Sequence, residues 1–241
     1  MDSSMNKIAV VTASVGAGLP VEHTPFEGVD YHAFVDFESD NEIPIDSMWT
    51  FHYVPKWSID KQYGDRRHAK IFKILPHFFL PGYDYYIWID STHMVAMNPQ
   101  DIIDTYLQSS DIAVFKHPER DCVYDEGEII QGIKFDKGYN VQSQMTFYQS
   151  TGYPKNNGLY ELPCRIQRNT GPIQALMLTW WELICKYSSR DQLSFPFSLA
   201  LHNITPSIMP GNANGIMRNN ILPQVKNSDH RRVHNFLNPD V

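Results

Sequence analysis

The run Tyr85, Tyr86, Ile87, Trp88, Ile89, closing on Asp90, constrains this chain more than any other stretch. Five of its six residues are aromatic or β-branched apolar, the signature of a strand buried on both faces. A carboxylate stands at its carboxyl end. In open α/β sheets ligands bind in the crevice outside the carboxyl ends of the strands, which aims Asp90 at substrate or metal. The alternative is an acid that only opens an Asx-turn into Ser91.

The flanking segments alternate between strand and helix patterns. Residues 7–12 carry a short apolar run, and Ala13 to Gly18 form a small-residue loop that lets a ligand approach the backbone. No GxGxxG is present, so an ordinary turn accounts equally well for Gly16 and Gly18. Residues 31–37 alternate as a second strand, ending at Asp36 and Glu38, and a short strand is expected over 51–54 within an aperiodic stretch. Asp65 opens a helix with Ala69, Phe72, Ile74 and Leu75 inward and Arg66, Arg67, Lys70 and Lys73 outward, restarting at Pro76. Asn98, Pro99 and Asp101 cap a helix ending near Leu107. A strand over 111–117, helices over 126–133 and 137–150, and a strand over 162–167 follow. The helix over 172–187 is apolar around most of its circumference, which requires burial. The whole predicts an α/β layered fold with a mostly parallel sheet flanked by helices. It forms one domain over 1–210, with a polar, extended or partly mobile tail over 211–241 that carries His230, Arg231 and Arg232.

Composition narrows the function classes. At 241 residues the chain can bury a full core, and a net charge of -7 argues against broad nucleic-acid or anionic-membrane binding. The longest apolar stretches fall short of the roughly 20 residues a bilayer span needs, and the amino terminus lacks a signal-peptide pattern. Cys122, Cys164 and Cys185 lack the CxxC spacing of a zinc or redox site and read as reduced thiols, so a cytoplasmic protein is expected.

Several blocks together resemble a known family. Arg66, Arg67, His68, Ala69, Lys70, then Leu75, Pro76, His77, then Tyr86 to Ser91 are similar to the GT-A nucleotide-sugar glycosyltransferases. Within these, the chain is most similar to the glycosyltransferase-like family of plant mucilage and turgor-regulating enzymes, with bacterial and large-virus relatives. The block from Lys116 to Glu126 and the block from Ser189 to Phe195 extend the resemblance, which covers residues 7–202. It implies a Rossmann-like GT-A domain moving a sugar from a UDP-sugar to a hydroxyl of a glycan or glycoprotein. It also implies Mn²⁺ or Mg²⁺ on an Asp-x-Asp motif. Here the second acid of that motif is Thr92, so either Asp90 holds the ion with help from His202, or the cationic helix carries the diphosphate.

Roles follow from the charge that builds on the leaving diphosphate, which a hard cation or Arg and Lys donors must neutralise. Asp90 suits the first role. Arg66, Arg67 and Lys70 suit the second, or else form a solvated face. The resemblance also sets Thr12, Ala13, Asp36, Ser91 and His117 against the nucleotide, where His117 is otherwise a buried strand-end histidine. Glu126, in the acidic group Asp125, Glu126, Glu128, binds sugar hydroxyls or serves the helix dipole. Ser189 and Gln192 fit a capping box, leaving Asp191 as the acceptor's base or, in a retaining transfer, as a stabiliser of the oxocarbenium-like centre. Arg165 and Arg168 point one way toward an acceptor or phosphate, or face solvent, and Trp180 and Trp181 stack on a sugar or pack the core. The rival class is a sugar-nucleotide or glycan-binding module without chemistry. A nucleotidyltransferase needs a glycine- and lysine-rich loop that Ala13 to Gly18 does not supply.

Overall fold

The computed structural model describes residues 6–16, 18–36, 46–54, 64–134, 136–213 and 220–225, and only the backbone of 64–66. The first strands, β1 (Ile8–Ser14), β2 (Val29–Asp36), β3 (Thr50–Val54) and β4 (Tyr85–Ile89), pair in parallel. β4 is buried at every position, as an apolar strand between two layers must be. Beyond it lie β6 (Tyr160–Arg168), β5 (Ile112–Lys116) and β7 (Ser207–Met209), giving a seven-stranded sheet in the order β3-β2-β1-β4-β6-β5-β7. β6 runs antiparallel to both neighbours and the other pairings are parallel, so the expected mostly parallel α/β sheet is what forms. The chain goes from β1 outward to β2 and β3 on one side and comes back to β4 on the other. That reversal is a topological switch point, and open α/β sheets hold their ligands in a crevice at such a point, here outside the carboxyl ends of β1 and β4.

Helices cover both faces. Val10, Ala33, Ile87 and Ile89 pack with Ile102 and Ile103 of α3 (Pro99–Tyr106) on one side. Asn98 caps α3 by accepting from the Gln100 amide at 2.9 Å, as the sequence signals. On the other side Val11, Phe34 and Trp88 meet Phe72 of α1 (Gly64–Ile74). There too Ile112 and Val114 meet Trp180 of α6 (Gly171–Lys186) and Phe195 of α7 (Asp191–Leu201). Pro76 ends α1 and starts the short α2 (Pro76–Phe79). The helices α4 (Val123–Gly132) and α5 (Gly138–Ser150) complete the layer, α4 opening before the expected Glu126. Among the described residues no helix is long and apolar enough to cross a membrane.

Two expectations are corrected. The capping box does not form: the Ser189 hydroxyl donates to Asp136 Oδ2 at 3.3 Å, and Gln192 Oε1 accepts from Arg190 Nη2 at 2.8 Å. Nor are the described residues past Gly211, 212–213 and 220–225, a loose extension, because Ala213 and Leu222 are fully buried and Ile221 joins the main core. Bonds from Val225 N to Thr92 O (2.8 Å), Met94 N to Pro223 O (3.1 Å) and Ala96 N to Ile221 O (3.0 Å) lay the latter stretch along residues 92–96. His230, Arg231, Arg232, Phe37 and Glu38 lie outside the described residues. Ile221→Val is expected to cost about 0.5–1.5 kcal/mol in urea unfolding, the cost of deleting a buried methyl, whereas a loose tail predicts no change.

Candidate active site

Five elements, β1, β2, β4, α1 and α7, bring side chains toward the switch point. With a period of two along each strand, Ala13, Asp36 and Asp90 fall on the sheet face that α1 covers, the face of Val11, Phe34 and Trp88. Thr12 falls on the opposite face, fully buried beside Val10, so it is separated from the others. At the end of β1 the Ser14 hydroxyl donates to the Gly18 carbonyl and Gly16 takes a φ of 69°, which turns the chain sharply. The Ser91 carbonyl accepts from Val21 N at 3.0 Å and ties this loop to the one after β4. Asp36 closes β2 with its carboxyl buried.

Asp90 stands just past β4 with 45% of its side chain exposed. Its Oδ1 accepts from Trp88 Nε1 at 2.8 Å and faces Lys73 Nζ at 3.7 Å. Those two contacts orient the carboxylate, and among the described residues Oδ2 has no hydrogen bond. Thr92, in the place of a second acid, pairs its hydroxyl with His93 Nδ1 at 3.2 Å. His93 Nε2 in turn donates to the Ala213 carbonyl at 2.9 Å, and burial holds its pKa down.

The cationic helix contributes differently from the outward face read from sequence. Arg67 and Lys73 are buried, and Arg67 Nη2 donates to the Tyr187 carbonyl at 2.9 Å, pinning the end of α6. Arg67 is therefore buried against the end of α6 and not on an outward face, and the side chain of Arg66 lies outside the described residues. The pair that meets the site is Lys70 and Lys73, one turn apart. Lys70 Nζ lies 2.8 Å and Lys73 Nζ 2.7 Å from the same Asp191 Oδ2. Burial draws the Lys70 pKa down to about 8 against the pull of Asp191. Burial alone raises the carboxyl of Asp191, but Lys70, Lys73 and Arg190 outweigh it and hold that carboxyl well below the usual range. An acid so stabilised is a poor proton acceptor at neutral pH, so Asp191 suits the role of an ion-pair anchor better than that of a base.

Behind this pair sits Arg165, 1% exposed, whose Nη2 donates to the Lys73 carbonyl at 2.6 Å while its guanidinium lies 5.1 Å from the Trp180 ring centre. Arg168 instead pairs with Asp111 at 2.9 Å. Residues 165 and 168 lie on opposite faces of a strand, so the reading that both point one way is wrong. Trp180 is fully buried with Nε1 on Ser194 Oγ at 3.1 Å, a core residue with no face for a sugar, and Trp181 packs against the same core.

A second cluster lies at the carboxyl end of β5. Glu126 is buried and accepts from Arg120 Nε at 2.8 Å, and Arg120 Nη2 lies 3.4 Å from His117 Nε2. His117 Nδ1 accepts from the Arg120 amide at 3.1 Å, and burial lowers its pKa. Glu161, at the start of β6, accepts from Ala213 N at 2.7 Å. His202 joins neither group: it ends α7, bonds Thr179 Oγ1 at 2.8 Å, and a helix rise of 1.5 Å per residue sets it ~16 Å along α7 from Asp191. Among the described residues no group of three His, Cys, Asp or Glu is placed to hold a metal. A divalent ion wants several oxygen ligands, and among the described residues Asp90, the half-exposed acid past β4, has the ammonium of Lys73 against it and no third donor beside it, so the described donor set does not fit Mn²⁺ or Mg²⁺.

Lys73 is the residue that sequence reasoning passed over. Its signal was the spacing of Lys70 and Lys73 on one helical face, which the helical pattern read as solvated.

Residues 21–213 match the family described as TOD1/MUCI70, glycosyltransferase-like domain. The chain is also 27% identical over 194 residues to the probable hexosyltransferase MUCI70 of Arabidopsis thaliana, covering 70% of this chain and 32% of that protein. It therefore spans about a third of that relative's length. Because the match runs from the loop after β1 to Ala213 and takes in α1, Asp90 and Asp191, this chain belongs to the TOD1/MUCI70 glycosyltransferase-like domain family.

Proposed function

We propose that this domain transfers a hexosyl group from a UDP-sugar to a hydroxyl of a glycan or glycoprotein acceptor. The observation that carries the reading is the convergence of Lys70, Lys73 and Asp90 at the switch-point crevice. Ammonium groups beside the leaving diphosphate neutralise the charge that builds as the bond from anomeric carbon to phosphate oxygen breaks. The open Oδ2 of Asp90 accepts a hydroxyl of the donor sugar and fixes its orientation. Ala13 and Asp36 line the same face toward the nucleoside, and the His117, Arg120 and Glu126 cluster meets the acceptor.

With Asp191 neutralised by two lysines, the departing phosphate oxygen is the better proton acceptor. The acceptor oxygen then bonds to the anomeric carbon on the face the phosphate leaves, its proton passing to that phosphate, which gives retention. The test is a panel of UDP- and GDP-sugars scored as released nucleotide. Slow release of UDP into water supports the reading, and thermal stabilisation by UDP with no turnover identifies a binding module instead.

Lys70 gives this site a pH limit. A group with its pKa drawn down to about 8 is charged below that pH and neutral above it. UDP affinity is therefore expected to fall several-fold between pH 7 and 9, and Lys70→Arg is expected to flatten the profile, as titration calorimetry can show.

A further inference from the structure

We infer that the ammonium of Lys73 is the resident cation of this crevice, and that the diphosphate is bound through it without a divalent ion. This rests on the nucleotide-sugar reading above and specifies how the same site holds its ligand. A metal in such a crevice needs two things: acids arranged around one point, and a position free of competing positive charge. Neither is present. The point between the two acids is taken by Lys73 Nζ, 2.7 Å from Asp191 Oδ2 and 3.7 Å from Asp90 Oδ1. The position that in an Asp-x-Asp motif carries the second acid is Thr92, whose hydroxyl is turned to His93.

Lys73 is held in that position from every side. Arg165 clamps its carbonyl at 2.6 Å, the Trp88 ring centre lies 5.6 Å from its Nζ, and only 4% of its side chain is exposed. A flexible surface lysine loses much side-chain entropy on meeting a phosphate, whereas one already fixed by two carboxylates has little left to lose. Lys70, paired to the same Asp191 oxygen, adds a second ammonium one helical turn away. Lys70 and Lys73 share Asp191 while Lys73 also faces Asp90, so an arriving anion competes with these carboxylates for two ammonium groups already in place.

The experiment is calorimetric titration of the whole chain with UDP, in EDTA and in Mn²⁺, for wild type, Lys73→Gln and Lys73→Arg. Expected are wild-type Kd values equal within about threefold in the two buffers, at least a ten-fold loss in Lys73→Gln, and partial recovery in Lys73→Arg. Mn²⁺ electron spin resonance in the presence of UDP should show no ion bound by the protein. At least ten-fold tighter binding by wild type in Mn²⁺, or unchanged affinity in Lys73→Gln, overturns the inference and leaves the transferase reading standing. Should Lys73→Gln not fold, the wild-type comparison and the resonance spectrum decide alone. If UDP binds in neither buffer, the nucleotide-sugar reading itself falls, and the inference with it.

Discussion

Asp90→Asn is expected to lower kcat/KM for UDP release by about 10²-fold, the loss typical of a substrate held slightly out of place at the reacting centre. The substitution separates chemistry from folding. An amide oxygen still accepts from Trp88 Nε1, and the side chain is 45% exposed, so stability should stay within about 0.5 kcal/mol of wild type. What changes is the charge that fixes Lys73 and the strength with which Oδ2 accepts a sugar hydroxyl. Initial rates of nucleotide release, with thermal unfolding beside them, make the measurement. Equal release by the variant and wild type removes Asp90 from the mechanism.

Asp191→Asn is expected to act on the fold first. It leaves Lys70 and Lys73 buried without their shared carboxylate, and breaking a buried pair by removing one partner costs about 3–5 kcal/mol. For a domain of this size that corresponds to a melting temperature lower by roughly 10 °C. The pH dependence carries a second signature. Burial opposes ionisation of Asp191, yet Lys70, Lys73 and Arg190 depress its pKa in the folded state. A depressed carboxyl contributes stability that is fully present above its unfolded value, about 3.9, and is lost as pH falls below that toward the folded value. Wild type should therefore lose more stability than Asp191→Asn between about pH 4 and pH 2. Parallel acid profiles for the two proteins rule out the ion-pair account.

Much of the architecture was legible because it is written in short-range pattern. A short apolar run rich in aromatic and β-branched residues favours a buried strand, and Asn98 with Pro99 favours a helix start, and β4 and α3 lie where the pattern placed them. The rest depended on partners distant in the chain. Lys73 reads as solvated on any helical projection, since its acid Asp191 is 118 positions away. For the same reason Arg165 reads as a surface residue until the carbonyl of Lys73, 92 positions away, is brought to it. The polar, asparagine-rich stretch after Gly211 hid Ala213 and Leu222, whose burial follows from backbone bonds to residues 92–96 and to Glu161.

By itself the sequence determined the layered α/β class, the parallel strands of the first half and the acid at the mouth of β4. Periodicity and strand-end chemistry act within a few residues of each other, and the chain cannot evade them. Only the tertiary structure decided which cations reach that acid, and that Arg67 and His202 do not. Whether a charged side chain is solvated or buried depends on the counter-charge the fold supplies, and here α7 supplies Asp191 to α1 across the chain.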